Sequence, residues 1–395
     1  MRVLGKPWVA SIGLGEDGLA GLSDASREAL GQAEIIFGGP RHLALVAAGD
    51  RGRAWPIPFS ICPVLSCKGQ NVAILASGDP FWFGAGSSLT AHLPRDAWQA
   101  FPAPSTFQRT AAHLGWRMEE ITCHGLHAAP FARLRPVLTK GHRAICLMRD
   151  GYAPQALAAW LTDQGFAADL TVLEALGGPN QRVRKTTAAA FTVTHIQSPV
   201  AVAIEITAGL GLSRASGLDD SLFAHDGQIT KRPIRALTLS ALAPRAGELL
   251  WDIGAGSGSI SVEWCLAGGR ALAFELRPDR AMNIRANALN FGLDHRLTCF
   301  EGAASETLAT HPIPDAVFIG GGGNAALYDQ LWHILPEGTR LVANGVTLET
   351  ESLLAAQHAR HGGTLLRIEC AQAAALGRMR GWDAARPVVQ WSVIR

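Results

Sequence analysis

From residue 7 to about 206, short apolar runs rich in β-branched residues alternate with amphipathic stretches whose apolar positions recur every three or four residues. The pattern predicts strands at Trp8–Ile12, Val72–Ala76, Ala144–Met148, Leu170–Leu173 and Val200–Ile206. It predicts helices from a Ser23 cap to about Gln32 and over Ala153–Gln164, the second stopped by Gly165. The last three strands read as a lower half with its own sheet, so the first part of the chain is expected to be a two-lobed α/β domain. Between Thr207 and Asp226 the periodicity is lost and Gly, Ser and Asp accumulate, which marks a linker. The division expected is residues 1–207, a connection over 208–225, and residues 226–395.

Beyond the linker the alternation becomes regular. Helices are predicted at Arg232–Leu242, Ser259–Ala267, Asp279–Gly292, Ala325–Leu335 and Glu349–His361; strands at Glu248–Ile253, Ala271–Leu276, Arg296–Phe300, Ala316–Ile319, Arg340–Ala343 and Thr364–Ile368. Strands separated by helices and short loops need crossover connections, hence a mostly parallel, doubly wound, Rossmann-like sheet. The final run, Val388–Ile394, follows no helix and is expected to enter that sheet antiparallel.

Composition narrows the classes. With 395 residues, 48% hydrophobic and 17% charged, the chain can fill two domain-sized cores. A formal net charge of +2 supplies no field for general nucleic-acid binding. Seven cysteines without a CxxC pair are not a disulfide framework, which points to a reducing cytoplasm. Cys62 and Cys67 have no second ligand pair nearby, so no metal site is expected. No run approaches the roughly 18 apolar residues of a membrane span, and the opening MRVLGKPWVASIGLGEDG reads as a first strand, not a signal segment.

The strongest chemical signal is LLWDIGAGSGSISVEW, where an apolar strand passes through Asp252 into Gly254-Ala255-Gly256-Ser257-Gly258 and then a helix. Glycines there let backbone approach a ligand closely, and a helix start offers free N–H groups. Such a turn also serves dinucleotides. Asp252, however, would repel a diphosphate and could hold an ammonium group, while Glu275, ending the next strand, is placed to accept from both hydroxyls of a ribose. A nucleoside bearing an amino acid and no phosphate satisfies both; S-adenosylmethionine is such a molecule. In the first half, VASIGLGEDG puts Gly13, Gly15 and Gly18 after a strand, and ILASGDPFWFGAG puts Ser77, Gly78 and Asp79 after another, both at strand carboxyl ends. Asp79-Pro80 is also an ordinary turn former.

The segment 225–395 resembles the class I methyltransferase domains that act on precorrins in cobalamin synthesis, through GQITKRPIR, WDIGAGSG, EGAASETL, DAVFIGGGG and VANGVTLET. The resemblance implies S-adenosylmethionine contacts at Thr230, the glycine turn, Ala304 and Gly320, and a bulky planar substrate lying against bare backbone at Gly321 and Gly322, where nucleic-acid base methylases often carry an Asp/Asn-Pro-Pro-aromatic motif. Lys231 and Arg235 are candidates for pairing with substrate carboxylates, or else form a solvated helix start; Glu349 touches substrate or caps its helix. Residues 7–206 resemble the tetrapyrrole methylases of class III, in which two α/β lobes hold the cofactor. This implies contacts at Gly13, Gly15, Ser77, Gly78, Asp79, at Ser105 and Thr106 of PAPSTFQRTAAHLG, and at Met148 of AICLMRDG. The first loop departs from the family's Gly-x-Gly-Pro-Gly: Glu16 and Asp17 stand there, as a solvated turn or in a role the pattern does not name.

Joined in this order, the two domain types resemble bifunctional enzymes of cobalamin biosynthesis. The implied reaction methylates C5 of a tetrapyrrole in the first domain, methylates C15 in the second, and decarboxylates the ring C acetate arm at C12. A homo-oligomer is expected by analogy. No residue is named as general base; His225, His295, His311, His333 and His358 read as surface or packing residues. Two rivals are a nucleic-acid methylase and a non-catalytic S-adenosylmethionine sensor.

Overall fold

A computed structural model describes residues 7–395; residues 1–6, which begin the stretch read as no signal segment, lie outside them. Two compact units are present, one ending at Ala129 and resuming over Leu138–Leu210, the other formed by Pro130–Val137 and Gly211–Arg395.

The first unit holds two five-stranded sheets. Strands β1 (Val9–Leu14), β2 (Ile35–Gly38), β3 (Gly52–Ala54), β4 (Val72–Ser77) and β5 (Trp98–Phe101) form an all-parallel sheet ordered β3-β2-β4-β1-β5. Its central strands are apolar runs because a parallel sheet is covered on both faces, and Ile12, Ile36 and Ile74 are fully buried. Strands β6 (Ile121–Gly125), β7 (Arg143–Leu147), β8 (Ala167–Glu174), β9 (Arg182–Thr187) and β10 (Val200–Ala208) form the second sheet, ordered β6-β7-β10-β8-β9, parallel only between β6 and β7.

The second unit is built on one seven-stranded sheet. Its strands are β11 (Leu249–Ile253), β12 (Arg270–Glu275), β13 (Leu297–Glu301), β14 (Ala316–Ile319), β15 (Arg340–Gly345) and β16 (Thr364–Ile368), with β17 (Ala371–Leu376) and β18 (Met379–Ala384) forming a separate hairpin before β19 (Val388–Ile394). The order β13-β12-β11-β14-β15-β19-β16 is parallel except for β19, which runs antiparallel to both neighbours, as its missing crossover helix requires. The chain leaves β11 toward β12 and returns on the other side at β14, so a crevice opens between the carboxyl ends of β11 and β14. This topological switch point positions the site.

Two features differ from the sequence reading. The hairpin β17–β18 was not expected, because its residues are exposed almost throughout and carry no alternation of apolar and polar positions. Part of the expected linker is core: Leu218 and Phe223 are buried with Leu239 and Leu242, and the Gly217 and Leu218 N–H groups donate to the buried Glu263 carboxylate at 2.7 and 2.9 Å. Polar composition there reflects backbone that must bond inward, not a loose connection. Among the described residues no helix is long and apolar enough to cross a membrane, and no three His, Cys, Asp or Glu side chains gather as a metal site.

Candidate functional site

The turn after β11 carries Gly254 at φ +66°, Gly256 at +60° and Gly258 at +71°. A Cβ on Gly254 would overlap the backbone of Gly321 in the turn after β14, so the two glycine turns meet across the switch point. Gly258 is the N-cap of the helix Ser259–Leu266 and lies over Ile284; it shapes the turn and does not line the cavity. Glu275, at the end of β12, is 5% exposed. Its Oε2 accepts from the Gly256 N–H at 2.8 Å and its Oε1 from the Arg277 N–H at 3.0 Å, which aims the carboxylate into a cavity of about 1180 Å³. Thr230, Ala255, Gly256, Ser257, Ala304 and Gly320–Gly322 line the same space. The Ser257 hydroxyl is buried there without a hydrogen-bond partner.

Asp252 requires a correction. It lies beneath the turn, is wholly buried and does not line the cavity. Its Oδ2 accepts from the Ser261 N–H at 3.2 Å and hydroxyl at 2.6 Å, while Oδ1 has no partner. Burial pushes the carboxyl up to about 6, the Ser261 bonds oppose this, and the Glu275 charge adds to it. The register pairs Asp252 with Ala273, two residues short of Glu275 on the same face of the sheet, so its side chain sits deeper, against the helix Ser259–Leu266, and does not line the cavity. One residue missed in the sequence is Asn287, fully buried on the inner face of the helix Pro278–Asn290. It bonds both Ala224 backbone groups and donates to the Ser257 carbonyl at 2.8 Å, tying the glycine turn to the approach segment.

Arg235 is also corrected. It is fully buried, its Nε donates to Glu263 at 2.6 Å, and its terminal nitrogens donate to Asp220 and to the Thr230 and Leu218 carbonyls. Facing inward one turn into its helix, it has nothing to offer a substrate. Lys231, in contrast, lines the cavity with its side chain 59% exposed and Asp220 only 3.9 Å away. Glu349 neither lines the cavity nor caps its helix, because Thr347 accepts the Thr350 N–H. None of the five histidines lines the cavity; His311 packs on Phe300 with ring centres 4.4 Å apart, and the His225 Nδ1 accepts from the Gly227 N–H.

In the first unit the turns after β1 and β4 and the segment before the helix Thr106–Leu114 converge. A Cβ on Gly13 would overlap the Gly78 carbonyl, and one on Gly78, which has φ +60°, would overlap Ser105. Ser105 itself is a buried N-cap in a capping box with Gln108, which uses its hydroxyl for the helix; Thr106 begins that helix. The Asp79 Oδ1 accepts from the Phe81 N–H at 2.8 Å, a local turn. Glu16 and Asp17 are not a solvated turn: Glu16 pairs with Arg41, and Asp17 with Arg109 at 2.9 Å, beside Gly15. Ser77 bonds Arg41 and the His42 Nε2, each at 2.9 Å, and burial together with Arg41 lowers His42 to about 4. Met148 is buried just beyond β7, its N–H donating to the Val200 carbonyl. Gly13→Ala is expected to destabilise the first unit by about 1–3 kcal/mol, since overpacking here pushes on backbone and not on a flexible side chain. Thermal unfolding of the full chain reads the effect, and an unchanged first transition would refute the close packing.

With this geometry in view, the comparisons with known proteins are informative. Residues 9–192 match the family model of tetrapyrrole (corrin/porphyrin) methylases, and residues 221–395 that of the precorrin methyltransferase domain. A precorrin-6Y C(5,15)-methyltransferase (decarboxylating) of Sinorhizobium sp is 46% identical over 98% of this chain and 96% of its own length; one of Mycobacterium tuberculosis is 39% identical over 97% and 99%. The solved C-terminal domain of the Rhodobacter capsulatus precorrin-6Y C5,15-methyltransferase is 64% identical, covers 47% of this chain and 100% of that one, and has a TM-score of 0.46. The long alignments take in both domains in one order, which sets aside the sensor reading: the chain is a methyltransferase and belongs to the family of precorrin-6Y C(5,15)-methyltransferases (decarboxylating).

Proposed function

We propose that the chain is a bifunctional enzyme of cobalamin biosynthesis that uses S-adenosylmethionine to methylate C5 and C15 of a precorrin and removes the ring C acetate carboxyl at C12. The carrying observation is the Glu275 carboxylate aimed into the large cavity beside the unpartnered, buried Ser257 hydroxyl. A buried hydroxyl without a partner costs free energy unless a ligand satisfies it. Glu275 still has lone pairs for two ribose hydroxyls, and the glycine turn admits the ligand without steric cost, so the residues fit the cofactor. When bound, S-adenosylmethionine supplies an electrophilic methyl group.

The chain's own contribution is placement. Glu275, Ser257 and Gly320 hold one ligand while Gly321 and Gly322 offer bare backbone to a flat macrocycle, and Lys231 at the rim meets a peripheral carboxylate. A meso carbon flanked by enamine nitrogens is already nucleophilic, so the site need only align it and exclude water, effects worth about 7–11 kcal/mol when geometry is good. In the first unit, Gly13, Gly78 and the loop held by Asp17 and Arg109 are proposed to frame the second cofactor site. Titration calorimetry on the full chain is expected to show two cofactor sites per chain. Glu275→Ala should weaken one of them by about 10- to 100-fold, the worth of hydrogen bonds to a charged acceptor. A wild-type chain that takes up no S-adenosylmethionine would sink the reading.

A further inference from the structure

One polar network touches the cavity and includes none of the residues assigned above to the cofactor. Asn344, near the end of β15, lines the cavity and faces Gln390 of β19 across the antiparallel ladder. Gln390 is 4% exposed, and Thr238, on the helix Arg232–Leu242, is fully buried. The Thr238 hydroxyl donates to the Ile234 carbonyl at 2.8 Å, so toward the two amides it can only accept. It accepts from the Asn344 Nδ2 at 2.9 Å and the Gln390 Nε2 at 3.1 Å. The second Gln390 N–H then donates to the Asn344 Oδ1 at 2.9 Å. Every orientation in the triad is thereby determined: the Asn344 oxygen and one N–H are engaged, and its second N–H has no partner among the described residues. An amide locked this way by two buried partners, itself half-buried at the cavity wall, presents one fixed donor to the cavity.

Resting on the function proposed above, we infer that Asn344 holds the acetate carboxylate that the enzyme removes, and that Gln390 and Thr238 are positioning residues for it. Ile368 and Val388, paired across β16 and β19, line the cavity as buried apolar side chains, Val346 stands exposed two residues beyond Asn344, and the charged Asp383 and Arg386 line the same cavity. In the step itself, the bond from the arm's methylene carbon to the carboxyl carbon breaks and carbon dioxide leaves. The electron pair passes into the macrocycle, and a proton from solvent completes the methyl group. Negative charge disappears from the carboxylate as this happens. A guanidinium or ammonium at Asn344's place would stabilise the starting carboxylate more than the transition state and slow the reaction. A neutral amide orients the group with far less of that penalty.

The test measures carbon dioxide release and cofactor affinity in the full-length chain supplied with precorrin-6Y and S-adenosylmethionine. Asn344→Leu, close in volume, is expected to lower kcat for release at least about tenfold, the worth of one hydrogen bond to a charged group. Gln390→Met should lower it in the same direction by less, with the KM for S-adenosylmethionine unchanged, a split that a general loss of packing would not give. Release at the wild-type rate in Asn344→Leu overturns the assignment. So does a fall matched by equal loss of cofactor affinity in both variants. A wild-type chain that binds cofactor but releases no carbon dioxide overturns the decarboxylase function, and this assignment with it.

Discussion

Arg235→Met is expected to destabilise the second domain by about 3–5 kcal/mol, the usual cost of stripping one partner from a buried ion pair, while leaving the affinity for tetrapyrrole unchanged in whatever protein remains folded. Removing the guanidinium leaves Glu263 buried with only the Gly217 and Leu218 N–H groups for its charge, and strips the donor from the Thr230 and Leu218 carbonyls. The face of Phe223, 4.7 Å from the guanidinium, loses a cation as well. The double replacement Arg235→Met with Glu263→Gln should recover part of the loss, because no unpaired charge then stays inside. Denaturant titration followed by tryptophan fluorescence measures both. Should the single variant keep its stability and lose substrate affinity, Arg235 would be the substrate anchor its place in the sequence proposed.

For Asp252→Asn the expected signs are opposite for stability and for binding. The fold raises this carboxyl to about 6, so it favours the protonated form. Above both the folded and the unfolded pKa the ionised group costs about 3 kcal/mol. The penalty develops as pH rises from the ordinary aspartate range to about 6 and stays constant beyond; below that window it is absent. Asp252 by itself therefore subtracts stability as pH increases across this window, against the depressed carboxylates and His42, which add it, so the stability of Asp252→Asn relative to the wild type is expected to grow with pH there. At pH 8 the variant should be about 1–2 kcal/mol more stable, less than the full penalty because its amide N–H takes over the position of the unpartnered Oδ1. The cofactor, a cation, should bind less tightly once the negative charge beneath the turn is gone. Thermal unfolding between pH 4 and pH 8, with calorimetry at pH 8, tests both signs; a variant with the wild-type pH slope would show that Asp252 is not the titrating group.

These two residues show how far the sequence reaches. WDIGAGSG announces a strand, a glycine turn and a helix in order, because each depends on neighbours in the chain: apolar continuity for the strand, positive φ for the turn, free N–H groups for the helix start. Glu275 was legible for the same reason, as the last residue of the next strand. How deep a side chain near a strand end lies against the neighbouring strand is not local. Asp252 pairs with Ala273, two residues short of Glu275 on the same face of the sheet, so it meets the helix Ser259–Leu266 while Glu275 reaches the cavity.

Chain-local information determined the two α/β domains, the antiparallel entry of Val388–Ile394, the glycine turns and the family resemblance, because period, turn chemistry and motif spacing all act over a few residues. Tertiary structure alone decided that Arg235 faces inward to Glu263, that Glu16 and Asp17 are paired with Arg41 and Arg109, and that Thr238, Asn344 and Gln390 meet. The partners of Arg235 and Asp17 lie 28 and 92 positions away, and Gln390 lies 152 positions from Thr238. Their contacts exist only after the helices have crossed the sheet. What a charged or amide side chain does is set by which distant group desolvates it and which supplies its hydrogen bonds, and no window of sequence contains both.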